Sequence, residues 1–304
     1  MNMVRIGHSD VVVDQLGLGT NKVGGHNIFS GLQDADGTAV IKQALASQIT
    51  FLDTAFMYGM GRSEELIGEA IHGFDRHQLV LATKGAQHPD DPSITDNRPA
   101  FLRQAVEDAL MRLHTDYLDI FYIHFPDDDT PKYEAVGELS RLREEGKLRA
   151  IGVSNFSLAQ IKEANEDGLV DVVEDNYNLV HRDAEQTLFP YLKQAGISFV
   201  PYFPLATGLL TGKYSAQDAA KFSRYSADEF AHILAGVEQV RTIAQAHHAT
   251  VAQTVLAWYM ANPAIAAVIP GARKPEQVVQ NAGARDVQLS EEAYRQIEAA
   301  FNRA

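Results

Sequence analysis

The chain has 304 residues with 26 basic against 40 acidic side chains, and its net charge of −14 disfavours a general nucleic-acid or anionic-membrane surface. A few local cations would still hold a phosphorylated small molecule, while the absence of cysteine excludes disulfides, thiolate nucleophiles and Cys-ligated zinc. The hydrophobic fraction of 45% supports a large core, and the length suits an α/β barrel, which typically runs about 250 residues plus insertions. MNMVRIGHSD has no apolar run long enough for a signal peptide, and no stretch approaches a membrane span of about 20 apolar residues, so a cytoplasmic protein is expected.

Residues 3–16 alternate around Gly7-His8-Ser9-Asp10, which predicts a short hairpin. A rhythm of apolar run, polar exit and amphipathic helix then sets in. It predicts strands at Leu16–Gly19, Ile49–Asp53, Leu79–Lys84, Leu118–His124, Ala150–Val153, Val170–Glu174, Ile197–Tyr202 and Ala266–Ile269. Helices are expected near 36–48, 63–73, 99–114, 133–145, 157–166, 184–195, 229–248 and 275–284, with an extra one near 290–301. Asp10, Ser157 and Ser290 stand where caps or turn residues help. The alternation argues a parallel sheet covered on both faces. With no duplication or linker, one (β/α)8 TIM barrel spanning residues 1–304 is the economical reading, and a doubly wound sheet is second.

In a barrel, the polar residues that end the strands share one face. ITFLDTAFMYGMGRSEELIGEA delivers Asp53 from a strand and Tyr58 from a glycine-broken loop, LVLATK ends in Lys84, and LDIFYIH ends in His124. Taken singly, each has a plainer reading. Asp53 reads as a turn former, Tyr58 as a surface tyrosine, Lys84 as a snorkelling rim lysine and His124 as a satisfied core histidine. Together they form a device for protonating an oxygen. Asp53 supplies the counter-charge to Lys84, and the ammonium lowers the Tyr58 pKa from about 10. Tyr58 then acts as general acid, while His124 orients the oxygen or shares the proton.

DTAFMYGMGRSEELIGEA, ATKG, LDIFYIH and IGVSNF resemble the signatures of the aldo-keto reductase family. The likeness runs from LGLGT near the start to VIPGARKPEQVVQN near the end, and is nearest to bacterial NADPH-dependent members of the general-stress type. It implies a catalytic tetrad of Asp53, Tyr58, Lys84 and His124. It further implies that Ser154 and Asn155 hold the nicotinamide carboxamide, that Tyr202 stacks on its ring, and that Gly19, Thr20, Asn21 and Glu174 border the cofactor. Phe203, Pro204, Leu205, Gly208, Leu210 and Lys213 would pass along the pyrophosphate. Gly271, Arg273, Lys274, Gln277, Gln280 and Asn281 would meet the adenosine end, with Arg273 and Lys274 on a 2′-phosphate, which favours NADP (NADPH).

Two departures carry expectations. Glu174 stands where the family usually has glutamine, and a carboxylate accepts from an amide but cannot donate to one. The segment after Lys213 looks short, which predicts a loosely held cofactor.

Other motifs fail on spacing. GLLTGKY has three residues between its glycines where a P-loop needs four, GLGTNKVGG lacks the third glycine of a dinucleotide fingerprint, and GVSNF lacks the second glycine of a nucleophile elbow. His247-His248 reads as solvated, Asp127 to Asp129 as loop charge, and no metal site is expected. The expected partner is a small carbonyl compound, with no nucleic acid or membrane and a monomer by default. A Schiff-base aldolase using Lys84 and a non-catalytic NADP(H)-binding partner subunit are the alternatives.

Overall fold

The computed structural model describes residues 3–302. Strands β1 (Met3–Arg5) and β2 (Val12–Asp14) pair antiparallel as the expected hairpin. Seven parallel strands follow in sequential order: β3 (Leu18–Gly19), β4 (Phe51–Asp53), β5 (Val80–Gly85), β6 (Leu118–Ile123), β7 (Leu148–Ser154), β8 (Val172–Asn176) and β9 (Ser198–Tyr202). The predicted eighth strand is present only as single bridges. Leu16 pairs with Val268 and Gly19 with Gly271, while Ala266 N donates to Phe199 O at 2.9 Å, so the 266–271 stave closes the ring between β9 and β3.

Helices α1 (Asp34–Ala46), α2 (Arg62–Ala70), α3 (Pro99–Leu113), α4 (Lys132–Glu144) and α5 (Leu158–Ala164) cover the outside after β3 to β7. The helix expected at 184–195 is two pieces, α6 (Ala184–Thr187) and α7 (Phe189–Ala195), because Pro190 has no N–H to continue the ladder. After β9 come α8 (Ala227–Ala246), α9 (Val251–Ala261), α10 (Pro275–Ala282) and α11 (Glu291–Ala299). Helix α9 has no counterpart among the predicted elements. It is apolar on nearly every side and buries Val255, Leu256, Trp258 and Tyr259, so it shows little periodicity.

Two apolar layers organise the core. The larger lies between sheet and helices. The smaller fills the barrel interior with Phe51, Ala82, Ile120, Ala150, Val172 and Val200, sealed from below by Ile6, Val11 and Val13 of the hairpin region. Side chains of a strand alternate faces, so the residue two positions beyond each of these also points inward. Those positions are Asp53, Lys84, Tyr122, Gly152, Glu174 and Tyr202. Dry apolar packing thus ends at a polar layer near the C-terminal ends of the strands. No described helix is long and apolar enough to cross a membrane.

Candidate active site

Asp53, Lys84 and Glu174 come from three different staves and are each about 1% exposed. Lys84 Nζ forms a short ion pair with Asp53 Oδ1, donates to Thr54 O at 3.0 Å and lies 3.2 Å from Glu174 Oε2. Burial alone would depress the lysine pKa, but the Asp53 and Glu174 carboxyls and Tyr58 outweigh it and raise it. The ammonium is therefore firmly protonated.

Tyr58 lies on a tight turn after β4. Gly59, Met60 and Gly61 all have positive φ, and a Cβ at Gly59 would stand 2.0 Å from Gly24 O. Asn27 clamps the turn by accepting from Gly59 N at 2.8 Å and donating to Met57 O at 3.0 Å. The resulting pose sets Lys84 Nζ 5.7 Å from the Tyr58 ring centroid and the His124 ring edge-on at 6.2 Å. The expected net depression of the Tyr58 pKa is not found. Burial raises it, the Lys84 charge pulls it down, and Asp53 and Glu174 push it up again, leaving it above the usual phenol value.

His124 is buried, with Nδ1 lacking a hydrogen-bond partner. Burial and then the Lys84 charge hold its pKa well below the usual histidine range, so it is a neutral imidazole near pH 7. Tyr122 was missed in the sequence, because a tyrosine within LDIFYIH passes as an ordinary strand former. Its ring lies under Lys84 at 5.3 Å, and its hydroxyl is buried without a partner among the described residues. Gly152 on β7 makes the room: a Cβ there would be 2.2 Å from Tyr122 Cδ1.

Around this centre, Asn155 Nδ2 donates to His124 O and Ser154 Oγ, both at 3.0 Å, while Tyr202 OH donates to Asn155 Oδ1 at 2.8 Å. Ser154, Asn155 and Tyr202 thus stand together at the ends of β7 and β9. Thr20 Oγ1 donates to Asp53 O at 2.9 Å, which ties the Gly19–Asn21 strand exit to the same centre. Phe203, Ala206 and Thr207 have positive φ, as does Gly208. Tyr259 of α9 fixes this strained segment by donating to Pro204 O at 2.8 Å. Leu205 is half-buried, but Leu210 is fully buried in the core and has only its backbone to offer.

Further out lies a group of cations. Lys22 and Arg273 flank the Phe29 ring at 5.7 and 5.4 Å, and burial, then Arg273 and Lys213, lower the Lys22 pKa. None of Lys22, Lys213 and Arg273 has a carboxylate within 4.0 Å among the described residues. Lys274 differs, since Asp36 holds its ammonium at 2.8 Å through both oxygens. Gln277 Oε1 accepts from the backbone N of Arg273 at 2.7 Å, and Asn281 is buried on α10. Gln280 receives a bond from Gln253 on its carbonyl at 2.8 Å, and Gly271 lies where a Cβ would be 3.3 Å from Asn21 Oδ1. The segment after Lys213 is a capped turn: Ser215 Oγ accepts from Gln217 N at 3.3 Å, and Phe222 packs on Tyr214 and Phe230.

A phosphorylated cofactor fits these residues. Cations without a carboxylate partner among the described residues suit an anion, and a neutral imidazole carries a ring N–H that suits a carbonyl oxygen.

The sequence profile of the Aldo/keto reductase family matches residues 15–302. A Glycine max protein named "Probable aldo-keto reductase 1" is 35% identical over 97% of this chain and 87% of its own length. The "NADH-specific methylglyoxal reductase" of Escherichia coli is 30% identical over 96% of this chain and 95% of its own length. Among solved structures, the glycerol dehydrogenase AKR11B4 of Gluconobacter oxydans superposes with a TM-score of 0.87 at 31% identity, covering 98% of this chain and 94% of that one. Barrel, polar inner layer and whole-chain likeness agree: this chain belongs to the aldo-keto reductase family, oxidoreductases that use a nicotinamide cofactor on small carbonyl compounds.

Proposed function

We propose that this protein is a cytoplasmic, NADPH-dependent reductase of small aldehydes or ketones, with Tyr58 as general acid. The observation that carries the reading is the position of the Tyr58 ring, with a buried ammonium 5.7 Å from its centroid and a neutral His124 at its edge. The bound cofactor supplies a hydride, two electrons and one proton, to the carbonyl carbon. As the C=O π electrons move onto oxygen, Tyr58 gives that oxygen its hydroxyl proton and becomes a phenolate. Lys84 stabilises the phenolate, and His124 directs the oxygen toward Tyr58 before solvent restores the proton. The raised resting pKa of Tyr58 suits this order, because the proton leaves only when negative charge builds on the substrate.

Cofactor choice rests on Arg273. With Lys274 committed to Asp36, Arg273 is the rim cation on the α10 side left free for a 2′-phosphate. Ser154 and Asn155 would hold the carboxamide and Tyr202 the ring, while Lys22 and Lys213 would neutralise the pyrophosphate. Substrate choice would be shaped by Lys22, His26, Phe56, Met57, Phe125 and the 213–230 segment. The aldolase alternative is disfavoured, because a Schiff-base lysine must be neutral and Lys84 is held charged.

The test is NADPH consumption against a panel of aldehydes, α-dicarbonyls, sugars and aryl ketones. Turnover of at least one carbonyl that disappears in Tyr58→Phe is expected. Tight NADPH binding with no turnover across the panel would turn the reading into that of a non-catalytic cofactor-binding subunit.

A further inference from the structure

We propose that Glu174 is a positioning residue of this site: it is held as the neutral acid, its proton is shared with Asp53, and one Lys84 ammonium thereby serves two buried carboxyl groups. The proposal deepens the reductase reading above and rests on it for its consequence, though not for its first test.

Three groups of unlike sign converge in a dry place. Lys84 Nζ is aligned on Asp53 Oδ1 and Thr54 O and stands 3.2 Å from Glu174 Oε2. Lys84 Nζ thus bridges the Asp53 and Glu174 carboxyls, meeting one oxygen of each. Asp53 Oδ2 and Glu174 Oε2 are both buried, and no other hydrogen-bond donor is aligned on either. A proton shared by the two carboxyls would supply the donor that these oxygens lack.

Charge balance asks for the same proton. With all three groups ionised, the site would hold one net negative charge on side chains that are each about 1% exposed. No second cation faces it among the described residues. The neighbours are the Tyr58 and Tyr122 hydroxyls, both neutral with raised pKa, the uncharged His124, Ser154, and the Tyr202 hydroxyl that is bound to Asn155. Asp53 accepts directly from the ammonium and keeps its charge, so the proton resides on Glu174. Burial and the Asp53 charge together push the Glu174 pKa well above the usual carboxyl range.

A neutral acid here presents no charge to a reduced nicotinamide, and its carbonyl oxygen accepts from a carboxamide as a glutamine would. As pH rises and Glu174 ionises, the added negative charge favours the positive oxidised ring. Glu174 therefore couples the preference between NADPH and NADP⁺ to pH.

Infrared spectroscopy of the purified protein near neutral pH tests the protonation state without any turnover. A protonated-carboxyl band is expected in the wild type and in the inactive Tyr58→Phe, and should be lost in Glu174→Gln. Biosynthetic ¹³C-glutamate should shift that band and ¹³C-aspartate should not, an assignment that needs no variant to fold. Absence of the band from the wild type, or its persistence in Glu174→Gln, overturns the proposal whatever the enzyme turns over. The second readout is the ratio of the NADPH to NADP⁺ dissociation constants across pH. It should rise about tenfold for each pKa unit by which the two bound states differ and stay flat in Glu174→Gln. The same rise in that variant overturns the coupling.

Discussion

At the scale of single residues, the site shows how burial competes with a neighbouring charge. An ammonium beside Tyr58, taken alone, predicts a depressed pKa. Desolvation is larger, and the second carboxyl, Glu174, adds to it. The acid must then be used at the moment of hydride transfer, so Tyr58→Phe should cut kcat by roughly 10²–10⁴, the usual worth of a positioned acid, while NADPH binding by fluorescence titration stays near wild type. Lost cofactor binding would mean that the tyrosine shapes the cofactor pocket instead. Arg273→Ala should remove one charge-assisted contact worth about 1.5–3 kcal/mol, raising KM for NADPH roughly ten- to a hundredfold and leaving KM for NADH little changed. Equal losses with both cofactors would move Arg273 off the 2′-phosphate. Lys274→Ala should weigh less, because Asp36 already neutralises that ammonium.

At the scale of elements, legibility followed periodicity. Strands with an apolar run and a polar exit were readable because alternation along β4, β5 and β8 puts Asp53, Lys84 and Glu174 at inward positions. Helix α9 was not, since burial on nearly all sides removes the amphipathic stripe that marks a surface helix. Its capping signal was present, with Thr250 Oγ1 accepting from Gln253 N at 3.2 Å and Gln253 Oε1 accepting from Thr250 N at 2.8 Å. The eighth stave was legible as an apolar run but pairs only through bridges, because Pro270 has no N–H to give to the ladder between them. Thr250→Ala should lower stability by about 1 kcal/mol in urea unfolding, the usual worth of an N-cap. Because α9 holds Pro204 through Tyr259, its cofactor affinity should fall as well. Gly59→Ala should be harsher on activity than on folding. Its Cβ meets the Gly24 carbonyl at 2.0 Å and must displace the turn that aims Tyr58. An alanine variant with full kcat would show that the turn tolerates the shift.

At the scale of the whole molecule, the response of stability to pH sums opposing contributions. The chain carries a net charge of −14, and several surface carboxylates, among them Asp34 and Asp96, are lowered by hydrogen bonds from His26 and Arg98. Such groups add stability above their unfolded pKa and lose it as pH falls. The barrel interior works the other way. Glu174 and Asp53 have folded pKa values above their unfolded references of 4.5 and 3.8, so the stability they allow is full below those references and declines as pH rises through the folded values. Bulk melting curves mix the two effects, and a difference between two proteins separates them. Glu174→Gln leaves every surface group in place and removes the Glu174 titration from the buried pair. Its melting temperature relative to wild type should therefore climb as pH increases from about 4.5 through neutrality, and the gap should level off once Glu174 has ionised. Scanning calorimetry of both proteins across that range decides the matter. A gap that does not change with pH would mean that Glu174 holds the same charge folded and unfolded. A gap that closes as pH rises would mean that its carboxylate is stabilised by Lys84, with the shared proton lying elsewhere.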